Sequence, residues 1–162
     1  MSATFSISAP IGVISDTHGL LRDEALCLLA DCALILHLGD VGHKPEHAAI
    51  LERLSGLAPL QAVRGNIDRA TWAESLPMTR DLVVNGWRLH LVHDLADSDP
   101  DVPCDAVLHG HSHKPRNEWR HERLLFNPGA AGRRRFRLPI TLGKLWADAD
   151  GLRGAILHLP ST

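Results

Sequence analysis

Five short stretches of the chain end an apolar run on a side chain with a lone pair to offer: Asp16-Thr17-His18, Gly39-Asp40, Gly65-Asn66, His93-Asp94 and His111-Ser112-His113. The donors are carboxylate, amide and imidazole, and none is a thiol. Structural zinc sites and soft-metal sites draw on cysteine, whereas mixed oxygen and nitrogen sets suit manganese, iron, nickel, zinc or cobalt in catalytic work. Seven donors (Asp16, His18, Asp40, Asn66, His93, His111 and His113) are too many for one ion and suit two. A shared carboxylate would then bridge metals about 3.5–4 Å apart. Glycines at 19, 39, 65 and 110 fit this picture, because they let the backbone turn beside an ion with no Cβ in the way. Taken singly, each piece has an ordinary reading. A strand-ending aspartate caps the next helix, Gly65-Asn66 is a turn, and His93 is a satisfied half-buried histidine. The five together, each closing an apolar run, are poorly explained by turns.

The elements that must position these groups follow from periodicity. Ile11–Ile14 reads as a buried strand. Leu20–Ala30 has apolar residues at helical spacing, with Arg22, Asp23 and Glu24 outside. A second strand over Ala33–Leu38 leads to Gly39-Asp40, a helix opens at Pro45 and runs to about Leu54, and a third strand over Pro59–Arg64 leads to Gly65-Asn66. This β-α-β-α-β order predicts parallel strands, whose carboxyl ends form the crevice where ligands collect in open α/β sheets. Leu82–Val84 and Trp87–Val92 then flank Asn85-Gly86, the signature of a type I′ hairpin. Leu95–Pro103 reads as a polar loop, with a short helix allowed before it, and Asp105–Leu108 as a strand. Short strands follow at about 116–119, 124–126, 142–147 and 154–159, with turns at Asn127-Pro128-Gly129 and Asp150-Gly151. The coarse expectation is α/β in front and antiparallel β behind, two packed sheets with helices outside.

Composition narrows the class. A length of 162 residues predicts one domain, 1–162, able to bury a core without staples. The formal net charge of −2 gives no general basic footprint for nucleic acid. Cys27, Cys32 and Cys104 have neither even number nor zinc spacing and read as reduced thiols in or near the core. The apolar runs are too short to span a bilayer and no signal peptide is apparent, so the cytoplasm is the expected location and no membrane partner is expected. Eleven histidines are the unusual feature. His37, His47, His90, His121 and His158 have no motif around them and read as surface or packing residues. His109 reads as strand or as support behind the ligands. Trp72, Trp87, Trp119 and Trp146 read as packing or an oligomer face.

In order and spacing, Asp16-x-His18, Gly39-Asp40, Gly65-Asn66-x-Asp68, His93 and Gly110-His111-x-His113 resemble the signature of the calcineurin-like metallophosphoesterase superfamily. The chain length, the lack of a cap insertion and Asn127-Pro128-Gly129 look like its small bacterial and archaeal phosphodiesterase branch, whose fold the retromer scaffold subunit shares. The resemblance implies a four-layer α/β/β/α sandwich of two mixed β-sheets flanked by helices. It implies two divalent ions per chain, manganese first, with nickel, iron, zinc or cobalt as alternatives. Asp16, His18 and His113 would hold one ion, Asn66, His93 and His111 the other, and Asp40 would bridge them. Asp40, Asn66 and His111 would then serve catalysis, a metal-bridging hydroxide attacking phosphorus in line in a phosphodiester or small phosphomonoester. Small-branch relatives are often dimers or larger, which makes a homo-oligomer the expectation by analogy.

Some positions depart from the family pattern. Ile67 stands where relatives carry histidine or cysteine and cannot donate a proton to a leaving group; His43 or a metal-bound water would have to substitute. Asp94 replaces a frequent glycine after His93, and Ala130 replaces a serine after Gly129. Asp68 and Asp94 are candidates to orient ligating imidazoles or to cap turns. Arg133–Arg137 reads as a solvated loop, with binding of a substrate phosphate or polyanion as the alternative. Two other functions compete with the esterase: a scaffold that has lost its chemistry, which predicts damaged ligand positions, and a nuclease, which needs a basic and aromatic strip that only the arginine run offers.

Overall fold

The computed structural model describes residues 2–160. A short strand β1 (Ala3–Phe5) precedes the buried β2 (Ile11–Ile14), helix α1 (Asp23–Leu29) and the buried β3 (Leu34–His37). A 3-10 turn at Pro45–His47 runs into α2 (Ala48–Ser55), and β4 (Leu60–Ala62) follows. After a 3-10 segment at Thr71–Ser75 come β5 (Thr79–Val84), β6 (Trp87–Val92), a 3-10 turn at Leu95–Asp97 and β7 (Ala106–Leu108). The chain ends through β8 (Arg116–Arg120), β9 (Arg123–Asn127), β10 (Thr141–Asp148) and β11 (Gly151–His158).

Both sheets are mixed. One has five strands in the order β11-β10-β2-β3-β4, the other six in the order β1-β5-β6-β7-β9-β8. In the first, β2, β3 and β4 are parallel as the βαβ pattern requires. The expectation of a separate antiparallel layer is corrected here: β10 pairs antiparallel with β2 and so extends the front sheet (Gly143 opposite Val13). In the second sheet β6, β7 and β9 are parallel neighbours. The strand β1, absent from the sequence expectation, pairs parallel with β5 (Ala3 opposite Leu82). Asn85 and Gly86 both have positive φ, +49° and +86°, which is what a type I′ turn needs.

Leucine, isoleucine and valine side chains of the inner faces fill the space between the sheets, with Phe126, Leu36, Leu91 and Leu108 wholly buried. A second cluster lies on the outer face of the five-stranded sheet, where Ala25 and Leu29 of α1 and Ile50 and Leu54 of α2 pack on Ile14, Ile35 and Leu142. The outer face of the other sheet is covered more thinly, Leu95 of the 3-10 turn packing on Val92, Cys104 and Val107. Helix α1 starts three residues later than the periodicity suggests, since Leu20 N–H turns back to the Thr17 carbonyl and Arg22 is still extended. Cys32 and Cys104 are buried free thiols, but Cys27 lies on the exposed side of α1 rather than near the core. No helix among the described residues is long and apolar enough to cross a membrane.

Candidate metal centre

The parallel neighbours β2, β3 and β4 end on the same edge of one sheet, and β6 and β7 end at the adjoining edge of the other. The loops leaving them are therefore neighbours. Beyond the last ladder bonds the loops keep pairing: Asp16 N–H donates to Gly39 O (3.0 Å), His18 N–H to Asp40 O (3.0 Å) and Gly19 N–H to Val41 O (2.8 Å). Gly110 N–H donates to His93 O at 2.9 Å and closes the other half. Among the donors, Asp16, His18, Asp40, His111 and His113 hold left-handed backbone, with φ between +45° and +70°. For a residue with a Cβ this region costs on the order of 1 kcal/mol or more, and such strain gathers at functional sites.

Two groups result. Asp16, His18 and His113 offer ligand atoms within 4.8 Å of one another, and so do Asp40, His93 and His111. In the first, Asp16 Oδ1 lies 3.4 Å from His113 Nε2 and 3.6 Å from His18 Nε2. The other oxygen, Oδ2, is held by the Ser15 hydroxyl (2.6 Å) and the His111 N–H (3.1 Å). Asp16 Oδ1 and His18 Nε2 are buried with no hydrogen-bond partner. In the second group His93 Nδ1 lies 2.7 Å from the Leu38 carbonyl, to which it donates, leaving Nε2 free to face Asp40 Oδ2 at 3.3 Å. His111 turns Nδ1 toward His93 Nε2 (3.3 Å), and its Nε2 is backed by Asp94 Oδ2 at 3.7 Å. The Asn66 amide faces Asp40, His93 and His111. With its nitrogen inward it donates to Asp40, but with its oxygen inward, 3.1 Å from His93 Nε2, it is a further donor to a cation.

Two buried carboxylates in one crevice call for positive charge. Burial pushes the Asp16 carboxyl up, but His113, His18 and His93 outweigh it and hold it well below the usual carboxylate range. Burial likewise works against the lowered Asp40 carboxyl, which His93 and the Ile67 N–H stabilise as the anion. His93 would lose its proton on burial, yet Asp40 and Asp16 raise it to about 9. An imidazolium thus supplies the positive charge a divalent ion would otherwise bring. The bare Asp16 and His18 atoms, the oriented His93 and the acceptor-rich pocket of Asn66 all fit a cation.

Residues 10–150 match the model of the calcineurin-like phosphoesterase superfamily domain. The chain belongs to that superfamily. It is 32% identical over 135 residues to a probable metallophosphoesterase of Methanothermobacter thermautotrophicus, covering 74% of this chain and 76% of the relative. It is 31% identical over 157 residues to the phosphodiesterase YfcE of Escherichia coli K12, covering 83% and 85%. The solved structure of YfcE, a phosphoesterase from E. coli, superimposes with a TM-score of 0.70 at 29% identity, covering 88% of this chain and 90% of that one. A Vps29 structure from Entamoeba histolytica shares the fold (TM-score 0.72, 17% identity, 93% and 99% coverage). Family and relatives alike point to metallophosphoesterase or phosphodiesterase activity, and the superfamily implies divalent metal ions.

Within this superfamily member several supports were not legible as such. His37, read as a surface or packing residue, is fully buried behind the site; its Nδ1 accepts the Gly39 N–H (3.1 Å) and its Nε2 meets Thr17 Oγ1 (3.1 Å). Burial drives its pKa down to about 4, so it is neutral. Asn127 donates to the Gly110 carbonyl and to Ser112 Oγ, both at 3.1 Å, and so clamps the loop carrying His111 and His113. Among the described residues Asp68 makes no hydrogen bond or ion pair with an imidazole. Its carboxylate instead accepts the N–H groups of Asp40 (3.0 Å), Gly42 (3.1 Å) and Gly65 (2.8 Å) and ties two ligand loops together. His90, also read as surface or packing, is buried and paired with Asp81 at 2.7 Å. The arginine run is exposed throughout, as a solvated loop would be, and Arg133 and Arg135 also line the crevice beside His18, His43, Ile67 and Arg69.

Proposed function

We propose that the chain is a dinuclear-metal phosphoesterase that hydrolyses phosphodiesters or small phosphomonoesters. Asp16, His18 and His113 would hold one divalent ion and Asn66, His93 and His111 the other, with Asp40 shared. Asp40 carries the reading: its Oδ2 lies 3.4 Å from His18 Nε2 in one group and 3.3 Å from His93 Nε2 in the other. A carboxylate oxygen between the two groups supports a bridging role for Asp40. Manganese is the first candidate, then nickel, iron, zinc or cobalt.

When bound, such a pair of ions acidifies water toward neutrality and neutralises the oxygens of a phosphoryl group. The remaining work is placement. Ser15 and the His111 N–H fix the Asp16 plane, the Leu38 carbonyl fixes the His93 tautomer, and Asp94 backs His111. Arg135, 3.5 Å from His18 Nδ1, brings a fixed cation to the mouth of the site. Ile67 offers no proton to a departing alcohol, so esters with poor leaving groups should turn over slowly. The scaffold reading is set aside because every donor position carries a competent side chain.

The test is cleavage of bis-p-nitrophenyl phosphate and p-nitrophenyl phosphate by metal-stripped protein reloaded with manganese, nickel, magnesium or zinc. Activity should return with manganese or nickel and be lost in Asp40→Asn and His111→Ala. Absence of both activity and bound metal under all four additions would overturn the proposal.

A further inference from the structure

The crevice beside the proposed centre carries more positive charge than one phosphate needs. His18, His43, Ile67, Arg69, Arg133 and Arg135 enclose about 450 Å³, within the roughly 300–1,000 Å³ of small-molecule sites. Elsewhere five guanidinium groups pair with carboxylates, Arg53 with Asp23, Arg88 with Asp105, Arg116 and Arg120 with Glu118, and Arg153 with Asp148, while Arg64, Arg80 and Arg123 donate to carbonyl or amide oxygens. Arg69, Arg133 and Arg135 have no carboxylate at ion-pair distance among the described residues. Like charges gathered in one crevice repel, and an anion among them removes the penalty.

The spacing says where that anion sits. Arg135 Nη2 is 3.5 Å from Nδ1 of the His18 ring, whose Nε2 is 3.4 Å from Asp40 Oδ2. The guanidinium therefore stands one imidazole ring outward from the donors. That places the guanidinium on the outward side of the donors, where a group carried beyond a reacting phosphate would lie. The wall also favours such a leaving group chemically. Beside the two imidazoles of His18 and His43 it presents only fixed guanidinium cations and the apolar Ile67. An alcohol needs a proton to leave, whereas a phosphate, with a second pKa of about 6, leaves as an anion that guanidinium groups stabilise.

We propose that Arg69, Arg133 and Arg135 seat a second phosphate, so that the preferred substrate is a small-molecule diphosphate cleaved at its P–O–P bridge. This rests on the dinuclear reading above and names the substrate class of the same site. In the step, a bond forms between water oxygen and one phosphorus, and the bond from that phosphorus to the bridging oxygen breaks. The electron pair stays on the departing phosphate, and the protons of water pass to solvent and product phosphates. Two phosphomonoesters result.

The experiment compares kcat/KM for ADP-ribose with that for bis-p-nitrophenyl phosphate, using manganese-loaded protein. The wild-type ratio should favour the diphosphate, and Arg133→Ala and Arg135→Ala should each lower that ratio by about ten- to a hundredfold, the worth of a charge-assisted contact. Arg134→Ala, on the same loop but outside the crevice wall, should leave the ratio as it is. A second readout is calorimetric binding of ADP against AMP to the full chain. ADP should bind about tenfold tighter, through the same kind of contact, and the advantage should vanish in both crevice variants. Arginine-dependent preference for ADP with no hydrolysis under any metal would sink the dinuclear reading and keep the subsite. Metal-dependent diester cleavage with an unchanged ratio in both variants, and equal ADP and AMP binding, would overturn the subsite and keep the metals.

Discussion

Acidification should loosen the site through His37 before it titrates the carboxylates. The ring accepts the Gly39 N–H on Nδ1, so Nε2 carries the proton and donates to Thr17 Oγ1, which in turn donates to the Val41 carbonyl at 2.9 Å. Only neutral imidazole can accept and donate in this way. Burial lowers the folded-state pKa from 6.5 to about 4. Because the unfolded chain takes the proton first, this stability is complete above pH 6.5 and is lost as pH falls toward 4. At about 1.4 kcal/mol per pH unit the full loss is about 3 kcal/mol, of which about 2 kcal/mol has gone by pH 5. His37→Gln keeps an acceptor and a donor but cannot titrate. Urea unfolding of both proteins at pH 7.5 and pH 5, without metal, isolates the effect from His93 and the carboxylates. The difference in stability between wild type and variant should move by about 2 kcal/mol toward the variant at pH 5. A difference that stays constant between the two pH values would refute the neutral, buried assignment.

Two substitutions probe the loops around the proposed ligands. A Cβ at Gly65 would fall on the Asp40 backbone nitrogen and on Asp40 Oδ1. Gly65→Ala should therefore displace Asp40 and weaken manganese binding by at least about tenfold in equilibrium dialysis, the usual effect of disturbing a ligand's support. Ser15→Ala removes the 2.6 Å hydrogen bond to Asp16 Oδ2 without touching a proposed ligand atom. It should weaken one of two binding events by about ten- to a hundredfold and leave the other near its wild-type value in a two-site titration.

How much of this was legible differs from element to element. Asp16, Asp40, Asn66, His93 and His111 could be picked out because each closes an apolar run, and parallel strands put their ends together. The βαβ unit and the Asn85-Gly86 hairpin are local patterns, and both formed. The strand β1 has three residues and a partner almost eighty positions away, so no local periodicity announces it. The insertion of β10 beside β2 is equally non-local, and it turned the expected antiparallel layer into part of a mixed sheet. The left-handed backbone at Asp16, His18, Asp40, His111 and His113 leaves no trace in residue type, since glycine is absent there. Asp68 was noticed for its position two residues past Asn66, but its partners are backbone N–H groups, which a sequence does not display. His37 ends β3 and could have been flagged by that position alone. The charge run 133–137 is exposed as its composition suggests, but nothing local says that Arg133 and Arg135 border the crevice beside His18.

The central claim is a shared carboxylate between two ions, and metal stoichiometry tests it most directly. Metal-stripped protein would be titrated with manganese and the ions bound per chain counted after gel filtration, beside Asp40→Asn and with electron paramagnetic resonance to detect coupled spins. The account predicts two ions per chain with a coupled signal in the wild type, and loss of the coupling with weakened binding in the variant. One ion or none in the wild type, or an unaltered coupled pair in Asp40→Asn, would contradict it.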